Sequence, residues 1–309
     1  MKSSLVFLLA AGCLAMPVLA QEDSAQHPAA SEQRPAAAQG EANRSALQVT
    51  PDQPAIKNKD LWAETGWLHP FGRMPRYVWE DQKAIWTSPF HTIKANVKWW
   101  AIFGGVTVAA IATDKWTVKQ LPNTSDQVSI ATTTSRLGAA YSLIPISAGF
   151  YMIGTGIKNE RFRETGLLGF EALVDTTLVE TVIKAATDRA RPLESDGKGH
   201  FWDGSGFYNA SFPSGHAINS WALASVVAHQ YPHPRIIPIL AYAGATLIVS
   251  SRVAARRHFP GDVIAGSAMG WFIGDYIYGK RHNRLLDQHA TFAQKVLSHI
   301  RVGPLTVLP

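Results

Sequence analysis

Three short stretches of this 309-residue chain combine residue types that could handle a phosphate-like anion. In the first, Pro213, Ser214, Gly215 and His216 stand directly before an apolar run beginning at Ala217. Free backbone N–H groups and the positive end of a helix dipole make such a turn an anion site. Glycine lets an oxyanion approach the backbone closely. Alone, this stretch reads as a helix cap, and a lone histidine is more often structural. The second stretch is "SRVAARRHFPGD", which contains Arg252, His258 and Asp262. Pro260 suits the first turn of a helix. Asp262, four residues beyond His258, is then placed to accept the imidazole N–H and fix its tautomer. Read blandly, Asp262 is an ordinary N-terminal helix charge and Arg256–Arg257 a solvated turn. The third is "KAATDRARP", in which Lys184 and Arg191 lie two helical turns apart and project from one face. Pro192 would end that helix and leave Arg191 in its last turn, where a cation also suits the dipole.

Helical elements must bring these stretches together. Apolar patterning beyond Lys98 is helical, with little strand-like alternation. Helices are expected at 95–113, 128–157 with a break at Pro145, 164–190, 217–230, 236–252 and 262–279. The fold class is therefore all-α, a helical bundle with its site at one end. The turn "YPHPR" makes an antiparallel hairpin of the 217–230 and 236–252 helices. That hairpin returns Arg252 to the end where His216 begins. Lys184 and Arg191 arrive there on an incoming helix, and His258 and Asp262 start an outgoing one. Cations, an anion nest and two histidines at one place suit a phosphate.

In this order, K-x6-RP, PSGH and SR-x5-H-x3-D resemble the signature of the type 2 phosphatidic acid phosphatase (PAP2)/vanadium haloperoxidase superfamily. The resemblance covers roughly residues 95–280. It implies that Lys184, Arg191 and Arg252 bind the non-bridging phosphate oxygens, and that Ser214 and the Gly215 backbone complete the cradle. It implies that His258, oriented by Asp262, attacks phosphorus to give a phosphohistidine. His216 would protonate the leaving group and then activate water. No metal or other cofactor is required by this scheme. The expected substrate is a phosphomonoester or diphosphate, on a small molecule or a lipid headgroup. A vanadate-dependent haloperoxidase is the other enzyme class the resemblance allows, and a polytopic polyprenyl diphosphate phosphatase the membrane-bound variant. A non-catalytic anion binder would not need both histidines and Asp262. In the loop "GKGHFWDG", His200 is a further candidate, with Phe201 and Trp202 set to contact the organic part of a substrate or simply to pack on the bundle.

Composition bounds the partners. The formal charge is +6, with 46% hydrophobic and 17% charged residues, and no long basic tract appears. A nucleic-acid partner is not implied. Residues 1–20 read as a secretory signal peptide, with Lys2, an apolar stretch from Leu5 to Leu19, and a small-residue site at Ala20. Lipid attachment at Cys13 fits less well. Cys13 is the single cysteine, so disulfides and thiolate metal sites are excluded once it is removed. A periplasmic, envelope-facing protein is expected. Residues 21–60 are rich in Ala, Pro and Gln and read as a disordered linker. Residues 61–94 form a Trp-rich segment expected to pack on the bundle, and 281–309 a C-terminal tail. Six of the ten tryptophans fall between Trp62 and Trp100, which suits a membrane-interface belt or a packed helical core. Apolar runs are short, and Glu171, Asp175 and Glu180 interrupt the 164–190 helix. A charge at a bilayer centre costs about 2.5–3.5 kcal/mol. A globular bundle with buried helices, associated with a membrane surface, is therefore expected over a polytopic one, whose neighbouring helices would have to shelter those acids.

Overall fold

The computed structural model describes residues 69–91, 94–194, 197–203, 206, 209–284 and 286–287. The expected signal peptide, the linker, the first part of the Trp-rich segment and most of the tail lie outside the described residues. Within them the chain forms eight α-helices and no strand: α1 (His69–Thr87), α2 (Lys94–Gln120), α3 (Ser125–Ser135), α4 (Ala140–Gly156), α5 (Glu160–Thr187), α6 (Gly215–Gln230), α7 (Ile236–Ala254) and α8 (Pro260–Arg281). Short 3-10 turns follow α1 and α3.

Local signals set several boundaries. Thr124 caps α3 by accepting the Gln127 N–H, and Asn159 caps α5 by accepting that of Phe162. Pro260 opens α8, and the Asp262 carboxylate accepts the Phe259 N–H at 2.9 Å. Asp188 ends α5 in the left-handed region at φ 36°. The helix therefore stops four residues before Arg191, which is not in its last turn. Nor does the 128–157 stretch break at Pro145, which lies within α4. The break falls at residues 136–139, where Gly138 passes so close to α7 that a Cβ would lie 2.2 Å from Ile248 Cγ2. Pro145 removes a single hydrogen bond near the start of α4, and the helix continues.

α6 is apolar on almost every side and forms the bundle axis. Ala217, Trp221, Ala224 and Ala228 recur at helical spacing and pack on Tyr242, Ala245, Val249 and Val253 of α7. The opposite side, Ile218, Ala222 and Val226, packs on Leu168, Ala172 and Val179 of α5 and on Ile273 and Ile277 of α8. α8 comes so close that a Cβ on Gly270 would lie 2.1 Å from the Ile218 carbonyl oxygen. α1 lies outside this core. Its Phe71 stacks edge-on against Tyr151 and Phe170, and its Asp81 receives both Arg281 and Lys280 from the far end of α8.

The acids that interrupt α5 are sheltered by neighbours. Glu171 accepts from Arg281 at 3.0 Å and Asp175 from Gln82 at 2.8 Å. The apolar helices expected to be buried are largely exposed. Residues 125–156 and 236–254 are long and apolar enough to cross a membrane, and only a third of each is buried. Ile144, Met152 and Ile153 of α4, and Ile239, Leu240 and Leu247 of α7, face outward. Trp100 and Trp116, exposed near the two ends of α2, are separated by about 24 Å of helix.

Candidate active site at one end of the bundle

His216 lies in the first turn of α6, His258 just before α8, Arg252 in the last turn of α7 and Lys184 in the last turn of α5. Arg191 follows α5 on a loop, where its Nε donates to the Asn209 carbonyl at 2.8 Å. These groups meet. His216 is held down to about 3, first by burial and then by the charges of Arg252, His258, Lys184 and Arg191. Burial also lowers Arg191 below its ordinary value, with Arg257 adding to the shift. Both histidines and the motif cations thus lie near enough to act on one another through their charges.

His258 is 2% exposed, and its Nδ1 lies 2.8 Å from the Ser211 carbonyl oxygen. A carbonyl only accepts, so Nδ1 carries the proton and Nε2 keeps its lone pair. Burial lowers His258 to about 4 against the opposing pull of Asp262, so the ring is neutral at physiological pH. The expectation that Asp262 accepts the imidazole N–H is corrected here: its nearer oxygen is 3.8 Å away. That carboxylate instead accepts the Ser211 hydroxyl at 2.5 Å and the Phe259 N–H, both of which are neighbours of the imidazole. Burial alone would raise Asp262, but the Arg189 charge beside it and the hydrogen bond from the Ser211 hydroxyl hold it below the ordinary carboxylate value.

Ser214 occupies the N-cap of α6 but its side chain makes no cap hydrogen bond. Its Oγ and the Nε of Arg252 are buried without a protein partner, while Arg252 Nη1 donates to Ser135 Oγ at 3.0 Å. Buried polar groups of this kind call for an acceptor, and a phosphate oxygen would supply one. Gly215 has the close approach the motif suggests, but its neighbour is an acid. A Cβ there would lie 2.1 Å from Glu180 Oε1, and that carboxylate holds Lys184 Nζ at 2.5 Å.

The sequence reading missed Glu180, Arg189, Ser211 and Asp114. Arg189 stands inside "DRARP", two residues before Arg191, and it pairs with Asp262 at 2.5 Å. Glu180 lies one turn before Lys184, a spacing that foretells the ion pair. Ser211 and Asp114 carried no local signal. In the loop, Phe201 stacks on the Arg189 guanidinium at 4.9 Å, whereas Trp202 is 77% exposed. His200 is exposed, and its carbonyl accepts the Ala190 N–H.

Among the described residues one carboxylate group has metal-like convergence, Asp81, Glu171 and Asp175, with ligand atoms within 4.8 Å. Arg281 and Lys280 already pair with two of the three acids, and the group sits at the opposite end of α8 from the histidines.

Comparison with known proteins gives the chain a family. The family model of the PAP2 superfamily matches residues 166–285, a span that holds all eight residues of the three motifs proposed for the site. The chain is 32% identical over 133 residues to a lipid A 1-phosphatase of Rhizobium etli, covering 40% of this chain and 56% of that protein. It is 30% identical over 149 residues to phosphatidylglycerophosphatase B of Bacillus subtilis, covering 46% of this chain and 68% of that one. A solved structure described as the first transmembrane PAP2 type phosphatidylglycerolphosphate phosphatase from Bacillus subtilis is 24% identical, with a TM-score of 0.43, covering 70% of this chain and 98% of that one. The chain belongs to the PAP2 superfamily. It spans a little over half the length of the lipid A 1-phosphatases it matches.

Proposed function

We propose that this protein is a metal-independent phosphatase of lipid phosphates, working at the histidine end of the bundle through a phosphohistidine. The observation that carries the reading is the meeting of a neutral, Nδ1-protonated His258 with His216, Lys184, Arg191 and Arg252 around one volume. The three cations bind the non-bridging oxygens and offset the charge that grows on them in the transition state. Ser214 Oγ and the Gly215 backbone complete the cradle. The Nε2 lone pair of His258 forms the N–P bond as the bond from phosphorus to the leaving oxygen breaks. His216 gives that oxygen its proton. Then water attacks phosphorus, His216 takes a proton from it, and the N–P bond breaks to release phosphate.

The low proton affinity of His216 in the free protein fits this order of events. Burial is the larger cause of that depression and the cations the smaller; a phosphate dianion offsets the cations and raises the proton affinity of His216 as the substrate is seated.

A lipid substrate is supported by the curated relatives, which are named for lipid A and phosphatidylglycerophosphate, and by the exposed apolar faces of α4 and α7. Apolar faces of this extent are rare on proteins surrounded by water. We read them as lying in lipid, with the site near the membrane surface and the sheltered acids of α5 facing the bundle interior.

The test is phosphate release from phosphatidic acid and phosphatidylglycerophosphate in mixed micelles containing EDTA. Wild type should turn over at least one of them, and His258→Ala should lose about a thousandfold or more in kcat. Release by His258→Ala at the wild-type rate would overturn the reading.

A further inference from the structure

We infer that Asp114 and Arg189 are positioning residues for His258, acting through Asp262 as a buried carboxylate–guanidinium–carboxylate chain. The inference rests on the reading of His258 as nucleophile. Asp114 stands on α2, before all three motifs, and Arg189 occupies an unspecified place within the first of them.

Arg189 is 1% exposed, and Asp114 and Asp262 are fully buried. Its Nη2 lies 2.8 Å from Asp114 Oδ2 and its Nη1 2.5 Å from Asp262 Oδ1. The Nε of Arg189 donates to the Gly199 carbonyl, and its Cζ lies over the rings of Phe201 at 4.9 Å and Phe259 at 4.5 Å. A guanidinium held by three acceptors and stacked on two rings has one position. Both ends of the chain reach the frame of His258. Asp114 Oδ1 accepts the Gly261 N–H at 2.8 Å, fixing the start of α8. Asp262 Oδ2 accepts the Ser211 hydroxyl and the Phe259 N–H. The Arg189 carbonyl also accepts the Ser211 N–H at 2.7 Å. The carbonyl that receives the His258 proton is thus set from both sides.

Stability does not explain this arrangement. Replacing a buried ion triad by packed apolar groups is often neutral or stabilising, because the pairing must offset the desolvation of every charge. What the chain supplies is a fixed direction for Nε2 of His258 toward phosphorus, which in-line attack requires.

The test uses Asp114→Asn, whose amide oxygen can still accept from Gly261 while the negative charge facing Arg189 is lost. Turnover is measured with vanadate affinity, which reports the phosphate cradle and His258 whether or not turnover occurs. The expected result is a kcat about tenfold or more lower, KM within about twofold, and vanadate bound several-fold more weakly. In an Asp262→Asn background the same change should add less than about twofold, since the path is already cut. Arg189→Lys should recover part of what Arg189→Gln loses; should Arg189→Gln not fold, Asp114→Asn carries the test alone. Unchanged kcat and vanadate affinity in Asp114→Asn, with only a lower Tm, would overturn the inference while the phosphatase reading stands. A wild type that releases no phosphate, yet binds vanadate in a His258-dependent way that Asp114→Asn weakens, would remove the phosphatase reading and keep the positioning chain.

Discussion

The carbonyl oxygen of Ser211 lies 2.8 Å from Nδ1 of His258, a full ångström nearer than the closest oxygen of Asp262. The imidazole is therefore oriented by a backbone group that Asp262 holds in place through the Ser211 hydroxyl. Ser211→Ala keeps the carbonyl and removes only one of its anchors. It should lower kcat by about three- to tenfold, whereas Asp262→Asn, which also weakens the Arg189 pair, should lower it about a hundredfold. Initial-rate kinetics on both variants check this. A full loss in Asp262→Asn beside no loss in Ser211→Ala would mean that Asp262 acts on the imidazole directly.

The acid limb of the pH dependence follows from His258. A nucleophilic His258 must be unprotonated, so the fall of kcat/KM on its acid side should lie near pH 4, well below the 6.5 of a free imidazole. Stability has the same sign. The folded values of His258 and His216 lie below the unfolded one, so the unfolded chain binds more protons between them. Their contribution is present above about pH 6.5 and is lost as pH falls toward 4 and 3. Thermal denaturation between pH 7 and 4 should show this fall, and His216→Asn should flatten it.

Glu180 is a counter-charge inside the cradle, since its carboxylate both pairs with Lys184 and lies against Gly215. Glu180→Gln should free Lys184 and tighten inhibition by inorganic phosphate by about fivefold, the scale of one partly exposed ion pair. Gly215→Ala should do the opposite, because the methyl group displaces that carboxylate and blocks the helix start. Inhibition constants for the two variants give the check.

The exposed face of α7 separates water from lipid as its surroundings. Ile239 is 58% exposed. On a water-facing helix, Ile239→Lys would change stability by no more than about 0.5 kcal/mol. In a bilayer a lysine costs about 2.5–3.5 kcal/mol at the centre, and a smaller part of that in the first turn of α7, where it reaches toward the interface. The protein should require detergent for extraction, and Ile239→Lys should lower its yield in the membrane fraction. Full recovery in buffer without detergent would contradict the lipid-embedded reading.

Much of the site was legible because its residues sit at helix ends, where spacing dictates position. Pro260 and Asp262 marked the start of α8, and "YPHPR" marked the hairpin that returns Arg252 to His216. The end of α5 was misjudged because Pro192 marked a stop, while the stop came earlier through a left-handed Asp188 that no residue type announced. Ser211 acts through its backbone carbonyl, which every residue has, so its identity carried no signal. Asp114 is separated from Arg189 by 75 residues, and only tertiary packing joins them. The outward apolar faces were missed for a related reason. Counting charges along a helix cannot say which side of it meets a neighbour, and the acids of α5 proved to be paired inside the bundle.

The central claim is that His258 carries the phosphoryl group. Wild type mixed with substrate bearing a radiolabelled phosphate, then quenched in alkali within a turnover, should yield a base-stable, acid-labile adduct. Peptide mapping should place that adduct on His258, and it should be absent from His258→Ala. Steady turnover without any such adduct, or an adduct mapped to His216, would contradict the account.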